Sequence, residues 1–155
     1  MQIELVRHIE LPIGRLALCA DGDGLCALRF AATGEEMDAA PVLMQAEREL
    51  EEYFAGRRTA FSVPLSMHGT PFQMAVWAAL RAIPYGETRS YGELARRIGR
   101  PGACRAVGMA NHVNPLPILV PCHRVVGADG HLTGYAGGLD VKKYLLELEG
   151  VHVKV

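Results

Sequence analysis

The chain has 155 residues, half of them apolar and 21% charged, with a formal net charge of −1. This composition suits one modest globular domain or two small ones, and excludes a low-complexity, disordered or collagen-like chain. No apolar run is long enough to span a bilayer, and the first residues lack a signal-peptide core, so a cytoplasmic protein without membrane attachment is expected.

The small net charge hides an asymmetry. Residues 1–60 carry six Arg against eleven Asp or Glu, whereas residues 61–155 carry ten Lys or Arg against six Asp or Glu. Either the second half meets a polyanion, or the two halves are solvated surfaces of unlike sign. The four cysteines, Cys19, Cys26, Cys104 and Cys122, show no CxxC spacing. They read as reduced thiols; spacing gives no support for zinc, although Cys19 and Cys26 lie near enough in sequence to leave it open, and no metal is the expectation.

In chain order, Gln2–Ile9 is a weak strand candidate. Two apolar runs, Arg15–Ala20 and Leu25–Phe30, flank Asp21-Gly22-Asp23-Gly24, which predicts a β-hairpin. Val42–Ala55 carries Leu43, Ala46, Leu50, Tyr53 and Phe54 at helical steps and ends at Gly56, so an amphipathic helix is expected. Thr59–Val63 alternates like a strand. Residues 1–66 thus read as a small α/β scaffold with an antiparallel sheet and no nucleophile–base pair.

The turn-rich stretch Ser66–Pro71 marks a boundary, and residues 67–155 read as a second, mostly helical domain. Thr70 caps a helix with Pro71 at its first position, and Phe72, Ala75, Val76, Ala79, Leu80 and Ile83 form its apolar face, with Trp77 beside that stripe. Ser90-Tyr91-Gly92-Glu93 is a capping box opening a short helix, Tyr91–Ile98. Arg100-Pro101-Gly102 turns the chain into a second helix, about Ala103–Asn111. Helix, tight turn, helix is the helix-turn-helix pattern. Its basic residues Arg89, Arg96, Arg97, Arg100 and Arg105 suit phosphate contacts.

The second helix offers few long polar side chains to base edges, because Ala103, Ala106, Gly108 and Ala110 are small. That favours a minor-groove or backbone approach with Arg105 as a probe, and disfavours sequence-specific regulation. Asn114, before Pro115, is placed to hold this helix and the following segment in fixed relation. That segment, Ile118-Leu119-Val120-Pro121-Cys122-His123-Arg124-Val125-Val126, delivers a thiol, an imidazole and a guanidinium in succession after a proline break. Neighbouring cations lower a cysteine's pKa from about 8.5. Cys122 is then an activated nucleophile, or else a small buried hydrophobe. Gly134-Tyr135-Ala136-Gly137-Gly138 is a loop that a ligand could approach closely.

A last helix, Leu139–Glu149, is read with Tyr144, Leu145 and Leu148 inward and Gly150 at its end. Glu149 sits where the macrodipole disfavours an anion. It makes sense there if it turns onto His123, giving nucleophile, base and orienting acid in Cys122, His123 and Glu149.

Gly69-Thr70-Pro71-Phe72-Gln73, Ser90-Tyr91, Arg105-Ala106-Val107-Gly108, Asn114-Pro115 and Pro121-Cys122-His123-Arg124-Val125 stand in an order and spacing that resembles the bacterial O6-alkylguanine-DNA alkyltransferases, also called methylated-DNA–protein-cysteine methyltransferases. The likeness is strongest over Gly69–Gly150. It implies irreversible, single-turnover transfer of an alkyl group from guanine O6, and from O4-alkylthymine, to Cys122 without a cofactor. The partner implied is double-stranded DNA carrying O6-alkylguanine, bound by a monomer, with cooperativity along DNA left open. The resemblance further implies that His123, through a water, and Glu149 generate the thiolate, and that Tyr91 donates to the ring N3. The backbone at Cys122 and Val125 would accept from the exocyclic amine, and the Ala136 N–H would reach O6 beside Tyr135. Arg105 would fill the space left by the extruded nucleotide, with Ala106 and Gly108 close to DNA and Asn114 bracing the turn. Some relatives carry serine where this chain has Ala136. The alternative is a lesion-binding protein that does not repair; a cysteine hydrolase would instead turn over repeatedly.

Overall fold

The computed structural model describes residues 4–153, and the chain divides into two compact units that change over between Met67 and His68. In the first unit, β1 (Leu5–Leu11), β2 (Gly14–Ala20) and β3 (Leu25–Arg29) form one antiparallel sheet in that order. The weak strand candidate is thus a full partner, paired with β2 from Leu5↔Ala20 to Leu11↔Gly14; its first residues, Gln2 and Ile3, lie outside the described ones. The predicted hairpin is β2–β3, with a bulge at the Cys19/Ala20 register shift. Gly24 is required there: a Cβ would stand 2.6 Å from the Pro64 carbonyl oxygen.

Helix α1 (Pro41–Phe54) buries Leu43, Ala46, Leu50, Tyr53 and Phe54, and with them Glu49. Glu49 explains why the expected strand at Thr59–Val63 does not form. Its Oε1 accepts from the backbone N–H of Ser62 (2.9 Å) and of Val63 (3.1 Å), and its Oε2 from the Ser62 hydroxyl at 2.7 Å. Two N–H groups that a ladder would need are spent on a side chain. The chain instead touches β3 at a single bridge, Leu25↔Leu65.

The second unit is helical: α2 (Pro71–Arg81), α3 (Tyr91–Arg97), α4 (Cys104–His112) and α5 (Leu139–Leu148). Thr70 and Ser90 both make complete capping boxes, with Gln73 and Glu93. Trp77 lies in the core rather than beside it, and its indole N–H donates to the Ala110 carbonyl at 2.9 Å, tying α2 to α4. Ala75 faces out instead. On α5, Tyr144 is exposed, contrary to the expected stripe; Lys142, Leu145 and Leu146 are the buried residues.

One small element matters more than its length. β4 (Arg89–Ser90) pairs in parallel with β5 (Val125–Val126), Arg89 against Val125 and Ser90 against Val126. The cap of α3 is thereby stitched to the chain just after Cys122. None of the described helices is long and apolar enough to cross a membrane.

Candidate active site

Cys122 opens a single 3-10 turn, Cys122–Arg124, and is only 4% exposed. The turn is held from below by Asn114, which is itself buried. Its amide Nδ2 donates to the Val120 carbonyl at 2.9 Å, and its Oδ1 accepts from the Leu116 N–H at 3.0 Å. Asn114 is therefore a brace under the site, and its amide also favours the thiolate of Cys122. Ile118 within this segment has φ 77°, a left-handed conformation that costs a β-branched residue about 1–3 kcal/mol. Its backbone N–H is one of the groups that favour a thiolate at Cys122. The strained backbone thus serves the sulfur.

Cys122 lines a cavity of about 160 Å³ together with Tyr91, Gly108, Asn114, Tyr135 and Ala136. Asn111 and His112 line it as well; no periodicity pointed to them. Gly108 faces the Tyr91 ring, and a Cβ there would meet two ring carbons at 3.8 Å, an ordinary contact that α4 could accommodate. Val125 is buried in β5, and its N–H donates to the Cys122 carbonyl, which keeps a second lone pair. Arg105 and Ala106 are exposed on α4. Arg89, Arg96 and Arg97 stand apart from Cys122 on a second cavity of about 300 Å³, which Glu93 shares. Arg89 is committed locally, donating to Glu87 at 3.0 Å and to the Thr88 carbonyl at 2.9 Å.

Glu149 caps α5 and turns inward, where it is buried. Its Oε2 accepts from His123 Nε2 at 2.8 Å. Arg124 grips both its oxygens, through Nε at 2.8 Å and Nη2 at 3.0 Å, and the Gly86 N–H adds a bond at 3.2 Å. Arg124 also donates to the Ile83 carbonyl at 2.7 Å and lies over the Tyr85 ring. A cation paired this closely offsets the unfavourable macrodipole.

This geometry corrects the electrostatics expected from sequence. The imidazole and guanidinium that follow Cys122 face Glu149, and burial pushes the thiol up to about 11. The forces that oppose burial come from elsewhere: the Asn114 amide first, then the Lys142 charge. Lys142 is fully buried, and burial lowers its pKa to about 8. Sequence alone does not single it out, because a lysine on a helix reads as solvated; its one signal is a place on the same face as Leu145, Leu146 and Glu149. Burial likewise holds His123 below the usual imidazole value, against the pull of Glu149. A neutral His123 that gives its Nε2 proton to a carboxylate has a bare Nδ1. That nitrogen is buried and has no hydrogen-bond partner among the described residues. It is free to act as a base. The described residues hold no cluster of metal-ligating groups.

Residues 5–67 match the family profile described as 6-O-methylguanine DNA methyltransferase, ribonuclease-like domain, and residues 71–151 match its DNA binding domain. The chain belongs to the 6-O-methylguanine DNA methyltransferase family. It is 51% identical over 148 residues to the methylated-DNA–protein-cysteine methyltransferase of Methanosarcina acetivorans, covering 91% of this chain and 95% of that protein. The Mycobacterium tuberculosis protein of the same name is 52% identical over 149 residues, covering 92% and 90%. The crystal structure of M. tuberculosis O6-methylguanine methyltransferase superposes with a TM-score of 0.86 at 51% identity, over 95% of this chain and 93% of that one. A structure of M. tuberculosis OGT in complex with DNA gives 0.86 at 51% identity, over 94% and 92%. The methyltransferase fold is thus shared along nearly the whole chain.

Proposed function

We propose that this chain reverses alkylation damage in DNA directly, moving the alkyl group from guanine O6 to Cys122 Sγ in one irreversible turnover. The observation that carries it is a buried thiol on a cavity, followed in the chain by a neutral imidazole whose far nitrogen holds a carboxylate. Because burial keeps the thiol protonated at rest, ionisation belongs to the reaction itself. His123 Nδ1 takes the proton through a bridging water, and Glu149 stabilises the imidazolium. The sulfur attacks the alkyl carbon; the S–C bond forms as the C–O6 bond breaks, and its electron pair passes into the purine. Tyr91 donates to N3, where that charge would otherwise build. The Ala136 N–H reaches O6, and the carbonyls of Cys122 and Val125 accept from the exocyclic amine.

A base inside a duplex cannot reach a thiol this deep, so the damaged nucleotide is flipped out. The exposed side of α4 carries Arg105, Ala106 and Met109. Ala106 between the two longer side chains leaves room for a close approach to the minor groove, with Arg105 filling the vacated stack and Arg96 and Arg97 on backbone phosphates. The protein acts as a monomer on double-stranded DNA in the cytoplasm, needs no cofactor, and also accepts O4-alkylthymine.

The test is peptide mapping by mass after incubation with a duplex holding O6-methylguanine. One added methyl is expected on the peptide containing Cys122, reaching a plateau of one per protein molecule. Cys122→Ser should abolish it while leaving DNA binding intact. Repeated turnover, or methyl on Cys19, Cys26 or Cys104 instead, overturns the proposal.

A further inference from the structure

Thr133 has no role in the reaction as described so far, yet it joins two of its parts. Its hydroxyl lies 2.6 Å from the Tyr91 hydroxyl, and the Lys142 ammonium donates to that same hydroxyl and to the Thr133 carbonyl, both at 3.1 Å. Lys142 is fully buried, and its charge also acts on Cys122. Resting on the reading that Tyr91 donates to N3 of the leaving guanine, we infer that Thr133 is a positioning residue that keeps the Tyr91 proton aimed at the base.

The reasoning is one of valence. An ammonium only donates, so Thr133 Oγ1 accepts from Lys142 and retains one proton of its own. The nearest hydroxyl for that proton is Tyr91 Oη. When Thr133 donates to it, the phenol accepts on one lone pair and its own proton is left for the substrate. A donor that itself accepts from a charge-backed hydroxyl is polarised and donates more strongly. Among the described residues, no other hydrogen bond fixes the phenol's rotor once the Thr133 hydroxyl is gone. The same ammonium then serves both ends of the transfer: through space it favours the thiolate, and through Thr133 it prepares the donor that meets the leaving group. The β4–β5 pairing and the Ser90 cap hold Tyr91 in the register this requires.

Thr133→Val removes the hydroxyl at nearly constant shape and spares the carbonyl that Lys142 also uses, so the fold is retained. The experiment compares single-turnover transfer from DNA containing O6-methylguanine with transfer from DNA containing its 3-deaza analogue, which has no N3 acceptor. Thr133→Val should be slower by about tenfold on the first, the worth of one charge-assisted hydrogen bond. On the analogue it should be nearly unchanged, and Thr133→Ser should restore the parent rate. Tyr91→Phe separates the two levels of inference. If Tyr91→Phe leaves O6-methylguanine transfer unaffected, the role of Tyr91 is wrong and that of Thr133 falls with it. If Tyr91→Phe is slow but Thr133→Val is not, the inference about Thr133 alone is overturned. Equal slowing of Thr133→Val on both substrates overturns it too, since that would mark a merely structural contribution.

Discussion

At Cys122 the same burial that hides the nucleophile also neutralises it. Removing a thiolate from water raises its energy, and the Asn114 amide, the Lys142 charge and the Ile118 N–H recover only part of that cost. Two consequences follow with opposite pH signs. Alkylation of Cys122 by iodoacetamide in the DNA-free protein should accelerate about tenfold per pH step from neutrality and level off near pH 11. A plateau already reached at pH 7, read by mass mapping of that peptide, would contradict the buried-thiol account. Stability should move the other way. Between the ordinary thiol value of 9.0 and the folded value of about 11, the unfolded chain has released this proton and the native one has not. The contribution of this group to stability therefore falls as pH rises through that window. Beside it, Glu149 illustrates how a poor position is made good: an anion at a helix C-terminus is tolerable because Arg124 closes on both its oxygens.

Among the elements, α1 shows how one buried carboxylate redirects a segment. Glu49 is almost fully buried and its pKa is lowered, because the Ser62 hydroxyl, the Gln45 amide and two backbone N–H groups outweigh its desolvation. Glu49→Ala should destabilise the protein by about 3 kcal/mol, since it strands those donors, and urea unfolding is the measurement. The sign with pH is fixed: stability from this group is complete above the unfolded carboxylate value and is lost as pH falls through the lower folded value. A Glu49→Ala variant should accordingly lose less stability on acidification than its parent. The second unit uses shorter devices to the same end. Two capping boxes start α2 and α3, and two paired residues tie Ser90 to Val126. Each is small, but together they set Tyr91 and Cys122 on one cavity.

For the whole molecule, charge is divided along the chain so that the second unit carries the excess of Lys and Arg. Arg96 and Arg97 are exposed on α3. If each neutralises one phosphate, Arg96→Ala should weaken binding to any duplex alike and reduce the slope of log affinity against log salt by about 0.9. Fluorescence anisotropy over a salt series reads this directly. An unchanged slope would place Arg96 off the DNA path. Transfer from a pre-bound lesion should be unaffected, because Arg96 lies on a different cavity from Cys122.

The amino-acid sequence by itself determined the helices of the second unit and the β2–β3 hairpin, and it singled out Cys122 and His123 as the nucleophile and base proposed here, because each leaves a local trace. A capping box, a Gly/Asp turn and a thiol set next to an imidazole are properties of neighbouring residues. What only the tertiary structure decided are interactions between positions far apart in the chain. Glu49 cancels a strand pattern at Ser62 and Val63. Arg124 turns away from the thiol it follows, and Lys142, twenty residues on, supplies the charge instead. A strand's ladder or a cysteine's acidity depends on which donor or cation reaches it through space, and spacing along the chain carries no record of that.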